Sequence, residues 1–296
     1  MPINKRQLDG WLVIDKPLDM GSTVVVGKLK WALEPAKIGH AGTLDPLATG
    51  VLPIALGKAT RLIPYVMDGR KVYEFQITWG AETATDDAAG EIIGQTDKRP
   101  TEAEIRAILP RFLGEIMQLP PAYSALKING KRAYDLARRG EEVALKPRPV
   151  RIETLELVSR TEDTADFRVV CGKGTYVRSL GRDIGRALGC LGYITRLRRT
   201  VCGPFTIEDA VPMRAFEHKC EKVNLMPLDT ALDTVPAVAT DAVIGVRLRQ
   251  GQRVPVREII DAVDCPEGRV MRVIADGELI GLVRVAGGVL HPYRIL

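Results

Sequence analysis

The chain has 296 residues, more than a typical single domain, with 46% hydrophobic residues, 27% charged residues and a mean hydropathy near zero. This composition excludes a disordered or fibrous protein, and no apolar run reaches the roughly 18 residues that a membrane-spanning helix needs. The first residues are followed by no apolar segment of a signal peptide, so we expect a cytoplasmic protein without membrane association.

Cysteine and histidine do not form the clusters that hold metals. The five cysteines include no CxxC pair, and the histidines His40, His218 and His291 are scattered along the chain. A zinc or catalytic metal site needs such residues at ligand spacing. We therefore expect no metal.

Positive charge is concentrated in two segments, although the net charge of the whole chain is only +5. Residues 127–151 contain eight basic and three acidic residues, and residues 168–199 contain eight basic residues and one acidic residue. Arginine outnumbers lysine in both segments, which favours contacts with phosphate groups. The segregation indicates either a polyanion-binding face or a solvated basic surface, and charge alone leaves both open.

Two elements are predicted near the N-terminus. Residues 11–14 are apolar and predict a short strand, which Pro17 ends. Ser22 or Thr23 is expected to cap a helix that stops before Pro35.

A glycine-rich loop over residues 39–50 follows, with the sequence Gly-His-Ala-Gly-Thr-Leu-Asp-Pro-Leu-Ala-Thr-Gly, and it leads into an apolar strand over 51–56. Its glycines permit positive φ and the close approach of another molecule. Its single carboxylate is Asp45, and an aspartate in such a turn more often satisfies backbone donors than takes part in chemistry.

Alternation over residues 71–80 predicts a strand with Tyr73 on its core-facing side. Thr101 to Glu104 form a capping box that opens a helix. Residues 176–188 predict a helix with one apolar stripe and one stripe of arginines, ended by Gly189. Further strands are predicted over 91–93, 151–158, 166–171 and 193–200, and residues 82–90 are predicted as an acidic hairpin connection.

Two later segments shape the predicted organisation. Residues 120–148 form a basic, loop-rich insertion that is long for a plain connection and is therefore predicted to be functional or mobile. Residues 229–240 are rich in Pro, Ala, Thr and Asp and are predicted as a linker. Short β runs separated by glycines then predict a small barrel-like module.

Elimination leaves Asp45 as a candidate for chemistry. The sequence contains no nucleophile elbow, dinucleotide fingerprint or phosphate-binding loop, and the chain singles out no second acid to pair with Asp45 in glycoside hydrolysis. An aspartate is ionised at neutral pH and can act as a nucleophile without further activation. Breaking a glycosidic bond in a nucleotide needs such a carboxylate, an aromatic face for the base and cations for the phosphates.

Six motifs in chain order resemble the bacterial tRNA pseudouridine-55 synthase family. They are Asp15-Lys16-Pro17, the loop with its following strand (39–53), Lys71-Val72-Tyr73-Glu74, residues 118–127 with the run Pro-Pro-Ala-Tyr-Ser-Ala-Leu-Lys, residues 172–178 and Leu197-Arg198-Arg199. The resemblance implies an α+β fold in which a mixed, largely antiparallel central sheet is flanked by helices. It also implies isomerisation of uridine 55 in the T-loop of tRNA, by base flipping and without a cofactor.

The resemblance further implies roles for individual residues. Asp45 would be the catalytic aspartate and would attack the target nucleotide, with the sugar and the base both open as the point of attack. Arg178 would pair with that carboxylate, and Tyr73 would stack on the flipped uracil. The remaining implied substrate contacts are His40, which would fill the gap left by the flipped nucleotide, the pocket-lining Tyr176 and Leu197, and Lys16, for which a structural role is an equal alternative.

The resemblance also implies how the RNA is held. The insertion 120–148 would clasp the RNA, with Lys127, Lys131, Arg132, Arg138 and Arg139 as RNA-binding residues. We expect a catalytic domain over residues 1–236, a small PUA-like RNA-binding module over 240–296, and a monomer whose partner is tRNA. A non-catalytic RNA-binding module and a glycoside hydrolase are the alternatives.

Overall fold

The structure, a computed structural model, describes residues 5–124, 127–128, 131–132, 139, 145–259 and 265–296, with the backbone alone for 127–128 and 131–132. Up to residue 100 the helices and strands are β1 (Gly10–Lys16), α1 (Ser22–Leu33), β2 (Ile38–His40), β3 (Ala48–Leu56), α2 (Ile63–Asp68), β4 (Lys71–Trp79), β5 (Ala81–Thr83) and β6 (Ile92–Gln95).

The middle of the chain adds two helices and eight strands within the described residues. They are α3 (Glu102–Ile108), β7 (Gly114–Gln118), β8 (Lys127–Ile128), β9 (Lys131–Arg132), β10 (Arg148–Arg160), β11 (Thr164–Cys171), α4 (Val177–Leu188), β12 (Gly192–Cys202), β13 (Phe205–Thr206) and β14 (Val211–Pro212). The capping box at Thr101 is confirmed, because its hydroxyl accepts from the Glu104 amide and the Glu104 carboxylate accepts from the Thr101 amide. Gly189 ends α4 at a φ of 66°, as predicted.

Ten strands of the described chain form one central sheet. Eight of them follow the order β14-β1-β3-β12-β4-β11-β10-β7, while β2 pairs with β3 and β13 pairs with β12. The β1–β14 and β3–β12 pairs are parallel and the other pairs are antiparallel, so the predicted mixed, largely antiparallel sheet is confirmed. One hydrophobic core joins this sheet to helices α1, α3 and α4.

The helix α1 begins differently from the prediction. Gly21 occupies the N-cap position without a side-chain hydrogen bond, so neither Ser22 nor Thr23 is the cap. The Ser22 hydroxyl instead donates to the carbonyl of Leu44 at 3.0 Å and accepts from the amide of Leu44 at 2.8 Å. The side chain that was expected to cap the helix thus ties α1 to the loop that carries Asp45.

A second sheet follows near the C-terminus. Its elements are β15 (Ala237–Thr240), α5 (Ala242–Arg249), β16 (Val254–Pro255), β17 (Val270–Ala275), β18 (Glu278–Ala286) and β19 (Val289–Ile295), with the strand order β15-β17-β18-β19-β16. The linker prediction is wrong for residues 237–240, which pair with β17 as a strand. Leu282 of β18 lies in the same apolar cluster as Trp11 of β1, so the two sheets pack together.

Candidate active site

Asp45 lies between β2 and β3 in residues 41–47, here called the Asp45 loop. The backbone around it is fixed, because the amide of Asp19 donates to the carbonyl of Pro46 at 2.9 Å and the amide of Ala48 donates to that of Asp45 at 3.1 Å. The Asp45 side chain is 38% exposed. The fold therefore presents this carboxylate on a rigid support with one side open.

Arg178, on the first turn of α4, faces Asp45. Its Nε lies 2.8 Å from Oδ2 of Asp45, and only 4% of the arginine side chain is exposed. The same guanidinium donates from Nη1 to the carbonyl of Thr85 and from Nη2 to the carbonyl of Tyr123, at 2.9 and 2.8 Å. A cation held by several partners fixes the direction of the carboxylate that it contacts.

A pocket of about 550 Å³ opens beside Asp45, within the usual size range of ligand pockets. Asp45 lines it together with four of the predicted substrate contacts, which come from β4, the start of α4 and β12: Tyr73, Tyr176, Arg178 and Leu197. The pocket thus places an exposed carboxylate, two aromatic side chains and a buried cation around one space.

Tyr73 lies on β4, where its register partner is Arg199 of β12. Burial raises the pKa of the Tyr73 phenol to about 12, even though the Arg199 guanidinium beside it acts in the opposite direction. The ring packs against the main core and also lines the pocket. At neutral pH it therefore presents an uncharged aromatic surface to the pocket.

Arg199 supports the Asp45 loop from inside the protein, and its role was not predicted. Its side chain is among the largest fully buried ones, and it donates from Nε to Val51 at 2.8 Å and from Nη2 to Gly42 at 3.0 Å, both at backbone carbonyls. These two carbonyls lie on either side of Asp45 in the chain. A Cβ on Gly42 would lie 3.3 Å from Nη1 of Arg199, so this glycine, which also lines the pocket, makes room for the arginine.

Lys16 lies beneath the loop, with 0% of its surface exposed. Its Nζ donates to the carbonyls of Pro17 at 2.8 Å, Met20 at 2.6 Å and Pro46 at 3.3 Å. Burial lowers the pKa of Lys16 to about 8, against the opposing effect of Asp45. Because the ammonium has no exposed surface, the geometry favours the structural alternative, and a substrate contact of Lys16 stays a prediction.

His40 lies at the end of β2 and is half-buried. Burial lowers its pKa below the ordinary value, with a smaller contribution from Arg199, and its Nδ1 is buried without a hydrogen-bond partner. His40 is not among the residues that line the pocket around Asp45.

Comparison with known proteins identifies the family. The model of the TruB family pseudouridylate synthase (N terminal domain) matches residues 30–177, and that of the tRNA pseudouridylate synthase B C-terminal domain matches residues 178–235. The chain belongs to the TruB family of pseudouridylate synthases. As a member of this family it is an isomerase, and the predicted pseudouridine synthase fold is confirmed.

The similarity to TruB relatives extends over nearly the whole chain. The tRNA pseudouridine synthase B of Rhodopseudomonas palustris is 49% identical over 99% of this chain and 82% of that protein. Those of Rhizobium meliloti and Paracoccus denitrificans are each 47% identical over 98% of this chain, and the alignments cover 96% and 97% of those proteins.

Chains in two solved structures are also similar to this chain. A chain of a Cbf5–Nop10–Gar1 complex is 27% identical, with a TM-score of 0.71 over 94% of this chain and 78% of that chain. A chain of an H/ACA RNP bound to a substrate RNA containing 2′-deoxyuridine is 24% identical, with a TM-score of 0.75 over 97% of this chain and 84% of that chain. The second likeness shows the fold alone.

Four of the five predicted RNA-binding residues of this TruB-family protein have side chains outside the described part of the chain. Arg138 lies outside the described residues, and Arg139 is exposed. Lys127, Lys131 and Arg132 lie on β8 and β9, which pair with each other, and their side chains are outside the described part. Their role in RNA binding stays a prediction. Among the described residues no group of three or more His, Cys, Asp or Glu is arranged to hold a metal, and no helix is long and apolar enough to cross a membrane.

The sequence reasoning predicted the acidic hairpin connection but missed its contact with α4. The loop over residues 84–91 connects β5 to β6, and its Asp86 and Asp87 are buried against the arginines of the helix. The arginine stripe and the acidic turn were both visible as separate patterns. Their opposite charges were the signal that the two would meet.

Proposed function

We propose that this TruB-family enzyme converts uridine 55 in the T-loop of tRNA to pseudouridine, with Asp45 as the nucleophile. The observation that carries the proposal is the partly exposed Asp45 carboxylate, held by buried Arg178 at the edge of a pocket with aromatic walls. The relatives that match nearly the whole chain are named tRNA pseudouridine synthase B, which supports tRNA as the substrate.

The proposed reaction conserves every atom of the uracil ring. Asp45 attacks the target nucleotide, the bond from N1 to C1′ breaks, and the base turns within the pocket until C5 faces the sugar. A bond from C5 to C1′ then forms, the bond between Asp45 and the nucleotide breaks and restores the free carboxylate, the hydrogen on C5 leaves as a proton, and N1 takes up a proton. No electron leaves or enters the system, so the step needs no redox cofactor.

The pocket suits a base that has left its stack. Tyr73, Tyr176 and Leu197 offer two aromatic rings and one aliphatic side chain, and such surfaces hold flipped bases. We propose that Tyr73 stacks on the uracil and that His40, uncharged because of its lowered pKa, fills the gap left in the RNA. Arg178 holds the carboxylate in place while the base turns.

We propose that the RNA outside the pocket is held by the basic insertion 120–148 and by a PUA-like module over residues 240–296. The second sheet supports the module, although its first strand already begins at Ala237. On this sheet Tyr293 is exposed between two guanidinium groups, Arg284 at 4.9 Å and Arg294 at 5.6 Å from its ring centroid. Aromatic rings beside arginines are typical of RNA-contacting surfaces.

A tritium-release assay tests the proposal. A T-loop transcript with uridine tritiated at C5 should release tritium with the wild type, because the C5 hydrogen leaves during isomerisation. Asp45→Asn should release none and still bind the RNA nearly as tightly. Normal turnover by this variant would contradict the role of Asp45.

The same assay separates the two alternative functions. A non-catalytic RNA-binding module would release no tritium and form no new product. A glycoside hydrolase would also release no tritium but would produce free uracil, which chromatography of the products detects.

A further inference from the structure

Two arginines one helical turn apart on α4, Arg178 and Arg182, are buried and paired with acids. Arg178 contacts Asp45 and has Asp87 at 3.4 Å, whereas Arg182 contacts Oδ2 of Asp86 and Oδ1 of Asp183, each at 2.9 Å. A buried guanidinium without a partner is costly, so each arginine depends on its carboxylates. Asp86 and Asp87 are adjacent, so one acidic loop serves both arginines.

Both arginines also bind residues 119–124, which include the start of the insertion 120–148 and are here called the insertion stem. Arg182 donates from Nη2 to the carbonyl of Leu119 at 2.9 Å, and Ser179 donates from its hydroxyl to the same carbonyl at 2.9 Å. Arg178 donates from Nη2 to Tyr123 at the other end of the stem. The stem is therefore docked on the same face of α4 that positions Asp45.

The backbone of the acidic loop is strained at the residue that Arg182 holds. Asp86 has a φ of +61°, which is uncommon for a residue with a side chain. Hydrogen bonds fix this conformation, because the Asp86 amide donates to Thr83 and its carbonyl accepts from Ile194, both at 3.1 Å. Neighbouring Thr85 then presents its carbonyl to Arg178. A strained residue held from several sides is typical of a functional constraint.

We infer that Arg182 and Asp86 are positioning residues, which hold the Arg178–Asp45 pair in its reactive geometry and couple it to the docking of the insertion stem. No hydrogen bond or ion pair joins either of them to Asp45 within the described residues. They act through Arg178, because they fix the loop and the stem from which Arg178 takes two of its carbonyl partners. The inference rests on the proposed function.

The charge state of Asp86 should make the reaction rate depend on pH, which can be measured. Burial raises the pKa of Asp86 to about 6, and the arginines of α4, Arg182 first, act in the opposite direction. The charged groups that face it are Arg178, Arg182 and Arg186 on the helix and Glu82 on its own hairpin. Protonation of Asp86 removes the charge that pairs with Arg182, so acidification through about pH 6 should loosen the arrangement.

The test compares Asp86→Asn and Arg182→Met with the wild type in single-turnover assays on the tritiated T-loop transcript. We expect the rate constant of either variant to fall about 10- to 100-fold, because a small misplacement of a catalytic group has an effect of this size. The affinity for the RNA should fall by less. The wild-type rate constant should decrease as the pH is lowered through about 6, and Asp86→Asn should lack that part of the pH dependence.

Arg186→Met is the matched control, because Arg186 lies on the same stripe and pairs with Glu82 of the same hairpin, yet it contacts neither the stem nor Arg178. It should keep the wild-type rate. If Arg182→Met does not fold, Asp86→Asn decides, since it removes a buried charge and keeps the side-chain shape. A wild-type rate and pH profile in Asp86→Asn would overturn the inference. Absence of tritium release by the wild type would instead contradict the proposed function.

Discussion

A Cβ placed on Gly50 would lie 2.2 Å from the carbonyl oxygen of Arg199. The two residues are register partners in the parallel pair β3–β12, and Gly50 has a φ of +98°. Because Gly50 has no side chain, the backbone of Arg199 can lie directly beside β3, the strand that follows the Asp45 loop. The glycine at this position therefore serves internal packing, not the approach of a nucleotide as the sequence pattern suggested.

Gly50→Ala should lower the free energy of unfolding by about 2 to 3 kcal/mol, because it adds both a steric conflict with backbone and an unfavourable φ. Urea denaturation measures the change. Gly27→Ala is the control: Gly27 lies inside α1 with no atom within 4 Å of the added Cβ, and this substitution should stabilise by about 0.5 to 1 kcal/mol. Equal stabilities of the two variants would contradict the packing role of Gly50.

Lys16→Met should destabilise the protein by about 1 to 3 kcal/mol and slow turnover, since it removes the donor that Lys16 now supplies to three backbone carbonyls. One of them belongs to Pro46, next to Asp45. Lys28→Met, on the exposed surface of α1, should change stability by less than about 0.5 kcal/mol. Denaturation and single-turnover assays check both variants, and a fully active, equally stable Lys16→Met would contradict the support role.

Lys16 also predicts a pH dependence of stability. Its pKa is lowered to about 8 in the folded protein from an ordinary value of 10.5, so between these values the unfolded chain binds more protons than the folded one. The contribution of Lys16 to the free energy of unfolding therefore rises as the pH increases from about 8 to 10.5. The difference in unfolding free energy between the wild type and Lys16→Met should grow over that range. A constant difference would contradict the lowered pKa.

Sequence patterns predicted most long strands, the start of α3 and the end of α4, because alternation, capping boxes and terminal glycines are local signals. The meeting of Tyr73, Arg178 and Asp45 came from motif resemblance, since no local pattern connects residues so far apart. The burial of Asp86 and Arg182 could not be read from either segment alone, because charged residues are expected at the surface until their partners are known. Strand β15 escaped detection because four residues in a proline- and alanine-containing segment show too little alternation.

The proposed RNA-binding arginines predict a change in salt dependence. Arg138→Glu and Arg139→Glu, each made singly, should weaken the binding of T-loop RNA. Each should also reduce the slope of log affinity against log salt concentration, by about 0.7 to 0.9 for each phosphate that the protein no longer neutralises. Arg106→Glu on α3, where Arg106 now pairs with Glu102, carries the same change in charge and should leave the slope unchanged. Filter binding over a salt series measures all three, and an equal effect of Arg106→Glu would indicate a general charge effect.

Arg178→Lys should lower the single-turnover rate constant about 100-fold, although the positive charge is kept. The guanidinium contacts Asp45, Thr85 and Tyr123 from three different nitrogen atoms, and a lysine ammonium cannot reach three partners in that planar arrangement. Arg186→Lys is the control, because that half-exposed arginine has its ion pair within the described residues with Glu82 and should tolerate the exchange. Since lysine keeps the charge beside Asp45, a rate near that of the wild type would mean that charge and not geometry is what Arg178 supplies.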